Sequence, residues 1–441
     1  MSIKSNRKYF TAEAEPGRCI RHEDFMIFYF LYNALLVLLW PIYQLLSLFV
    51  PRVRQFRLSR NEVEPQSFPG SDGQPVFWLH AASVGEMDQA LAIARELKRR
   101  GGCKIALSVF SLSVKKLQQP DVDFMFRAPV DFPWAWKRWV KRISPAAFVT
   151  MTWDVFPNLL ASLRAARVPS YLACAALSHD SSRLKFPLKQ LLGSVYNKLS
   201  GIGAVDLENA ERFRAIAGST DVRITGDSRY DAIFHKIQTT KLDSDTQRRL
   251  SSQGRTWILA STYRACDQKI FPELSALLRD FEDLRVLVFP HFVEEERLLE
   301  VEEGLRAASI ESRRFSDPDI SGARVVIVDR MGILALAYRL ADFCYVGGGF
   351  HHRIHNTGEP AALGLPILTG TRIETSPIAL LLEKEGALYR CEDGRQIIRH
   401  VRDFLDRKDY ASSRGRAGQK AIEQACGSSR KFVDAFLTPV P

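Results

Sequence analysis

An α/β chain with two Rossmann-like domains facing a cleft, preceded by an apolar anchor helix, is the fold class this sequence predicts. Three observations carry it. Short apolar runs alternate with helical stretches from Val76 onwards, the signature of parallel strands joined by crossover helices. A polar stretch at 232–255 interrupts the alternation, which then restarts. In every repeat of the second series polar residues stand directly after the strand, where open α/β sheets bind ligands.

Size and composition agree. The chain has 441 residues, 46% hydrophobic and 25% charged, enough for two cores. Lys+Arg 61 against Asp+Glu 50 leaves a net charge of +11, without a basic block long enough for a nucleic-acid tail. Such an excess suits an anionic membrane surface or a phosphorylated substrate, so no nucleic-acid partner is expected. Cys19, Cys103, Cys174, Cys266, Cys344, Cys391 and Cys426 are scattered without CxxC spacing. They imply a reducing compartment, with neither a disulfide framework nor a zinc site.

In chain order, residues 1–24 are a polar, poorly ordered terminus. Phe25 to Val50 is almost wholly apolar and long enough to span a bilayer. It starts too late for a signal peptide, and no small-residue cleavage site follows. Asn33, Pro41 and Gln44 interrupt a clean span and leave a tilted or monotopic insertion open. Arg52, Arg54, Arg57 and Arg60 complete an anchor at 25–60 and place the remainder on the cytosolic side. The alternative is a buried helical hairpin.

A Pro/Gly/Ser-rich linker at 61–75 opens the first domain, 61–231. Its strands are expected at Val76–Leu79, Ile105–Val109, Phe148–Met151, Ser170–Ala173, 202–205 and 222–225, with a helix from Met87 to Arg100. Residues 232–255 read as a linker. The second domain, 256–425, has strands at Thr256–Ala260, Arg285–Phe289, Val325–Val328, Phe343–Val346 and Ile367–Leu368. A C-terminal helix and tail occupy 426–441. Within the first domain, Pro133–Arg142 holds three tryptophans among four cations. It fits a membrane-interface helix, or equally a Rossmann helix that turns Trp136, Trp139 and Val140 inward.

The most informative stretch runs from Tyr345 to Gly370. A buried strand stops at Gly347-Gly348-Gly349, and a polar loop follows with His351, His352, Arg353, His355 and Asn356. Thr357-Gly358-Glu359-Pro360 opens a short helix. Glycines permit close backbone approach to a ligand, and a helix N-terminus offers N–H groups to an anion. Glu359 suits a ribose diol beside such a phosphate; its plainer role is partner to the helix dipole. The crowded loop favours nucleotide binding. Its histidines lack paired carboxylates, so ligand contacts are expected of them and not a metal site.

Four segments carry a resemblance to a known family: HAASVGE at 80–86, DVFPN at 154–158, GDSRYD at 226–231 and VGGGFHHRIHNTGEPAALGLPILTG at 346–370. ASTY at 260–263, Pro290-His291 and DRMG at 329–332 fall in the matching order. With these, nearly the whole chain resembles the bacterial 3-deoxy-D-manno-octulosonate (Kdo) transferases, lipid A-specific glycosyltransferases of the GT-B type.

The resemblance implies an inverting enzyme without metal or other cofactor. It moves Kdo from CMP-Kdo to a lipid A precursor at the cytoplasmic face of the bacterial inner membrane. It makes Glu86 the general base, with Arg229 and Asp154 as further catalytic residues. Pro290, His291, Met331, Gly332, Gly348, Gly349, Asn356, Thr357, Gly358 and Glu359 would line the CMP side, and His80, Ser83 and Gly85 the acceptor side. Without the resemblance, Ser83-Val84-Gly85-Glu86 is a capping box at a helix start, and His80 a strand-end histidine.

The chain departs from the family at Thr152, in an acidic position, at Arg229 for a usual lysine, at Ile333 for a frequent glutamate, and at Cys174 and Ala176, where Asn and Arg are usual. A related GT-B transferase with another nucleotide sugar or acceptor is thus a second reading. A membrane-tethered binding protein without catalysis is a third.

Overall fold

The structure, a computed structural model, describes residues 22–61 and 63–437. The polar N-terminus up to residue 21, with Cys19, and the tail from 438 lie outside the described residues.

Fourteen described strands form two parallel sheets. The first contains β1 (Val76–Ala81), β2 (Lys104–Val109), β3 (Phe124–Arg127), β4 (Ala147–Met151), β5 (Ser170–Ala175), β6 (Gly201–Ala204) and β7 (Val222–Ile224), in the order β3-β2-β1-β4-β5-β6-β7. The second contains β8 (Thr256–Thr262), β9 (Arg285–Pro290), β10 (Arg313–Arg314), β11 (Val325–Ile327), β12 (Phe343–Val346), β13 (Ile367–Thr369) and β14 (Leu388–Arg390), in the order β10-β11-β9-β8-β12-β13-β14. Both are doubly wound sheets. The chain reverses its direction of travel between β1 and β4 in one, and between β8 and β12 in the other, and ligands of such sheets bind outside the strand ends at that reversal.

The strands are near-continuous apolar runs because helices cover both faces. Side chains alternate between the two covered faces. In β1, Trp78 packs with Phe148, Leu172 and Ile202 on one side, while Leu79 packs with Val149 and Ala173 on the other. In β8, Ile258 and Ala260 face one cluster, and Trp257 and Leu259 the opposite one.

The chain divides into two compact units, one ending at Gly226 and regaining the chain from Arg430, the other Asp227–Ser429. This corrects the expected boundaries. Residues 232–255 are not a linker: Arg229–Thr239 and Ser244–Leu250 are helices, and Ile233 and Leu250 enter the core of the second unit. The helix Ser428–Phe436 is no appendage either. Phe432 and Val433 are buried in the first unit, and β6 has glycines at 201 and 203 because side chains there would meet Phe436 and Phe432.

The apolar N-terminal segment is one helix, His22–Phe49, followed by a second, Pro51–Leu58. Tyr29–Phe49 is long and apolar enough to cross a membrane. Its polarity is inverted relative to a core helix. Phe30, Leu31, Leu35, Leu38, Ile42, Leu45 and Phe49 are exposed, while Tyr32, Asn33, Tyr43 and Gln44 are half-buried against protein. Tyr32 donates to Asp131 Oδ2 at 2.9 Å, Asn158 Nδ2 donates to Asn33 Oδ1 at 2.9 Å, and the Trp40 ring meets Phe132 edge-on at 5.0 Å. Of the three residues that interrupt the apolar run, Asn33 and Gln44 face protein and Pro41 is exposed; the exposed apolar face excludes the buried hairpin.

The tryptophan-rich stretch is a helix, Pro133–Ile143, that turns Trp136, Trp139 and Val140 inward. Trp136 Nε1 donates to Asp131 Oδ1 at 2.5 Å, and only Trp134 of the three is exposed.

Candidate active site

Two sets of chemistry-bearing residues lie at the carboxyl ends of the sheets, one at each reversal.

In the first unit, β1 ends at Ala81 and the helix Val84–Arg100 begins three residues later. Ser83 caps that helix, its Oγ accepting from Glu86 N–H at 3.4 Å. Glu86 does not complete the usual box by returning to the Ser83 amide. Its Oε2 accepts from Ala82 N–H at 2.6 Å, one residue further back. Burial raises the Glu86 carboxyl above its ordinary range. The Ala82 hydrogen bond opposes this, and the Asp154 carboxylate adds to the rise. A carboxylate poised to take a proton needs such an environment. Ser83 and Gly85 are exposed beside it, as an acceptor contact requires.

His80 departs from the expectation. It is fully buried, so its place is behind the site and not against an acceptor. Nδ1 lies 2.8 Å from Ser108 Oγ, which also receives the Trp78 indole N–H at 2.9 Å. The other ring nitrogen, Nε2, lies 3.6 Å from Asp154 Oδ2. Asp154 follows β4 in a tight turn, its carbonyl accepting from Thr150 Oγ1 at 2.7 Å.

Thr152, in the same turn, has φ +62°, a left-handed conformation unusual for a β-branched residue. Its hydroxyl donates to Gln89 Oε1 at 3.2 Å. Gln89 is a site neighbour that the sequence reading missed, although it lies three residues beyond Glu86 on the same helix.

In the second unit, a stack of rings lies beyond β8, β9 and β12. The Tyr263 ring stacks on His351 at 4.7 Å and on His355 at 5.4 Å, and His291 stacks on His355 at 4.4 Å. Tyr263 Oη and His355 Nε2 are 3.1 Å apart. Burial and the neighbouring His291 push His355 down to about 4, and burial lowers His291 as well, so both rings are neutral at pH 7. Tyr263, the last residue of the ASTY segment, is a site residue that the sequence reading missed; its position directly after β8 was the available signal. Pro290 ends β9, and exposed Met331 with Gly332 follows β11.

The structure adds detail to three expectations here. The first concerns the glycines, each of which lies close against protein backbone. A side chain at Gly347 would meet the Ser261 carbonyl, one at Gly348 the Arg353 carbonyl, and one at Gly349 the Gly370 nitrogen at 2.7 Å. The second concerns the helix opened by Thr357. It is only Gly358–Ala362, and its Gly358 N–H is taken by Asn356 Oδ1 at 2.9 Å. The third concerns Glu359, which is buried and paired with Lys236 Nζ at 2.5 Å, so its partner is a lysine and not the helix dipole alone. Thr357 Oγ1 is buried without a hydrogen-bond partner.

Arg229 lies in the second unit, at the start of its first helix. Its side chain is 37% exposed, with Asp227 Oδ2 as carboxylate neighbour at 4.0 Å. Ile333 is buried in the core, which accounts for an apolar residue there. Among the described residues, no group of three or more His, Cys, Asp or Glu is placed to hold a metal ion.

Comparison with known proteins adds to this geometry. Residues 55–232 match the family model described as 3-deoxy-D-manno-octulosonic-acid transferase. The 3-deoxy-D-manno-octulosonic acid transferase of Haemophilus influenzae is 29% identical over 423 residues, 92% of this chain and 97% of that protein. Proteins of the same description from Chlamydia pneumoniae and Aquifex aeolicus are 26% and 23% identical, over 83% and 80% of this chain and 86% and 92% of their own lengths. Among solved structures, the UDP-GlcNAc 2-epimerase of Neisseria meningitidis superposes with a TM-score of 0.60 at 11% identity, covering 82% of this chain and all of that one. A glycosyltransferase from Rickettsia africae superposes with a TM-score of 0.54 at 11% identity, covering 82% and 98%. These two superpositions place the fold in the GT-B class.

Proposed function

We infer from the Kdo transferase domain that this chain carries over residues 55–232, and from relatives similar along nearly its whole length, that it is a glycosyltransferase acting in lipopolysaccharide biosynthesis. The donor is CMP-Kdo and the acceptor a lipid A precursor. The observation that carries the chemistry is Glu86, a buried carboxylate held by a single backbone N–H at the rim of its sheet, its affinity for a proton raised.

In the proposed reaction an acceptor hydroxyl attacks the anomeric carbon of Kdo. Its proton passes to a Glu86 oxygen as the new C–O bond forms. The bond from the anomeric carbon to the CMP phosphate oxygen breaks, and CMP leaves with the electron pair. Attack opposite the leaving group inverts the anomeric configuration. Asp154, with His80 behind it, keeps a second negative charge near Glu86 and so favours proton uptake. Arg229 is the cation for the departing phosphate, a planar fork that can grip two oxygens. The scheme draws on no metal, so a chelator should leave the rate unchanged. The exposed leucine face of His22–Phe49 and the arginines after it suit the cytoplasmic face of the inner membrane.

The test is transfer from CMP-Kdo to a tetraacylated lipid A precursor by wild type and Glu86→Gln. A loss of about 10²–10⁴-fold in kcat is expected. The wild-type kcat/KM should rise with pH through the raised Glu86 ionisation, since the base must be deprotonated, and that limb should vanish in the variant. Full activity in Glu86→Gln would return Glu86 to its capping role.

A further inference from the structure

We propose that the groove between the two N-terminal helices and the loop after β2 holds an acyl chain of the acceptor glycolipid. This rests on the transfer reading above and adds to it a recognition site for the lipid part of the substrate.

The groove has a volume of about 690 Å³, in the range of small-molecule sites. Leu39, Ile42 and Leu46 of the first helix form one wall, Val53 and Phe56 of the second form another, and Leu112 closes it from the loop. Its lining is overwhelmingly apolar. Its polar residues are Tyr43, Ser111, Ser113 and Arg52, and Arg52 supplies a cation for a headgroup. The groove runs out onto the exposed leucine face of the first helix, so a chain can enter sideways from a lipid layer without crossing water.

Two features tie it to the acceptor and not to bulk lipid. The groove's loop is hydrogen-bonded directly to the loop that holds Glu86. Phe110 N–H donates to Ala81 O at 3.1 Å and Ser111 N–H to Ala82 O at 3.0 Å, while the N–H of that same Ala82 holds Glu86. Phe110 also packs on Phe156 at 5.6 Å, and Phe156 meets the His80 ring edge-on at 5.1 Å. A glycolipid whose sugar hydroxyl reaches Glu86 therefore has an apolar slot one loop away. The second feature is the clamp on this wall. Arg60 lies over the Phe56 ring at 3.2 Å and donates to Phe110 O at 2.7 Å, which fixes the second helix to the loop and holds the groove open.

The experiment uses the full chain with two acceptors, the acylated glycolipid and its deacylated, water-soluble backbone, and the groove-filling variant Val53→Trp. The wild type should show a KM for the acylated acceptor at least tenfold below that for the deacylated one. Val53→Trp should raise the acylated KM by tenfold or more and leave the deacylated KM unchanged. An acceptor with a photoreactive diazirine in its acyl chain should label residues 39–56 or 110–113 of the wild type, a readout that needs neither the variant nor catalysis. Equal KM values for both acceptors, or labelling elsewhere, overturn the groove and leave the transfer reading intact. Equal labelling by a diazirine phospholipid that an excess of acceptor fails to displace assigns the groove to bulk lipid, and also overturns the proposal. Labelling at the groove with no transfer to either acceptor supports the groove and overturns the transfer reading.

Discussion

The triple glycine decides whether a glycine-rich turn serves the ligand or the fold, and two alanine substitutions separate the alternatives. Gly348 has φ +93°, and a Cβ there would meet the carbonyl of Arg353. The intervening loop is closed by His351 N–H on Gly348 O at 2.9 Å and His355 N–H on Gly347 O at 3.1 Å, so it cannot give way without losing these bonds. Gly332 has nearly the same backbone, φ +89°, but no atom within 4 Å of its Cβ position. Each substitution costs about 1–3 kcal/mol of backbone strain. Gly348→Ala adds about 1–3 kcal/mol of overpacking. The totals are about 2–6 kcal/mol for Gly348→Ala and about 1–3 kcal/mol for Gly332→Ala, against a stability of about 5–15 kcal/mol for a typical protein. Urea unfolding measures both, and calorimetric titration with CMP measures the site in each folded variant. The reasoning fails if Gly348→Ala unfolds no more easily than Gly332→Ala while its CMP affinity drops tenfold or more, because the glycine would then be making room for the nucleotide.

Two other outcomes are expected. Asp131 is buried and accepts four hydrogen bonds, two on each oxygen, from Trp136, Leu159, Tyr32 and Asn158, yet burial still pushes its carboxyl up to about 6. A folded-state value above the unfolded one means that the folded protein binds the extra proton, so stability is greatest below about pH 4 and falls as pH rises to about 6. The rise of roughly two units corresponds to about 3 kcal/mol; Asp131→Asn should remove that much pH dependence, read as the change in unfolding free energy between pH 4 and pH 7. Ser83→Ala should cost about 1 kcal/mol of stability through the lost cap while kcat changes less than threefold, because Ala82 and not Ser83 holds the Glu86 carboxylate; a kcat loss matching that of Glu86→Gln would refute this.

Much of the fold was legible because a parallel sheet covered on both faces writes itself as apolar runs. β1, β2, β4, β5, β8, β9, β11 and β12 all show such runs. β3 was missed because Phe124–Arg127 ends in a charged residue, β10 because it is two arginines, and β14 because Leu388 is its one aliphatic residue. The helices at 229–250 hid behind a polar surface, with Ile233 and Leu250 buried and Tyr230, Ile237 and Leu242 packed beside them. The candidate site was legible as segments but not as partners. The spacing showed that Glu86 caps a helix, yet not that it passes over Ser83 for Ala82. It showed a carboxylate at 359, yet not Lys236, which lies 123 residues away along the chain. Gly347–Gly349 read as ligand glycines because of the crowded polar loop after them; the backbone atoms across from each missing Cβ were not legible.

The return of the last described helix to the first unit has a consequence for synthesis. A ribosome delivers residues up to Gly226 early, with all seven strands of the first sheet, but Phe432, Val433 and Leu437 that complete its apolar cluster emerge only after the whole second unit. The half of the protein made first is therefore the half finished last. Until then it presents an uncovered patch beside β6, at the glycines kept small for Phe432 and Phe436. A stop codon directly after Ser429 would spare the core of the later-made unit and leave the earlier one without its seal. Nascent chains stalled at Ser429 should accordingly be protease-sensitive in their oldest part.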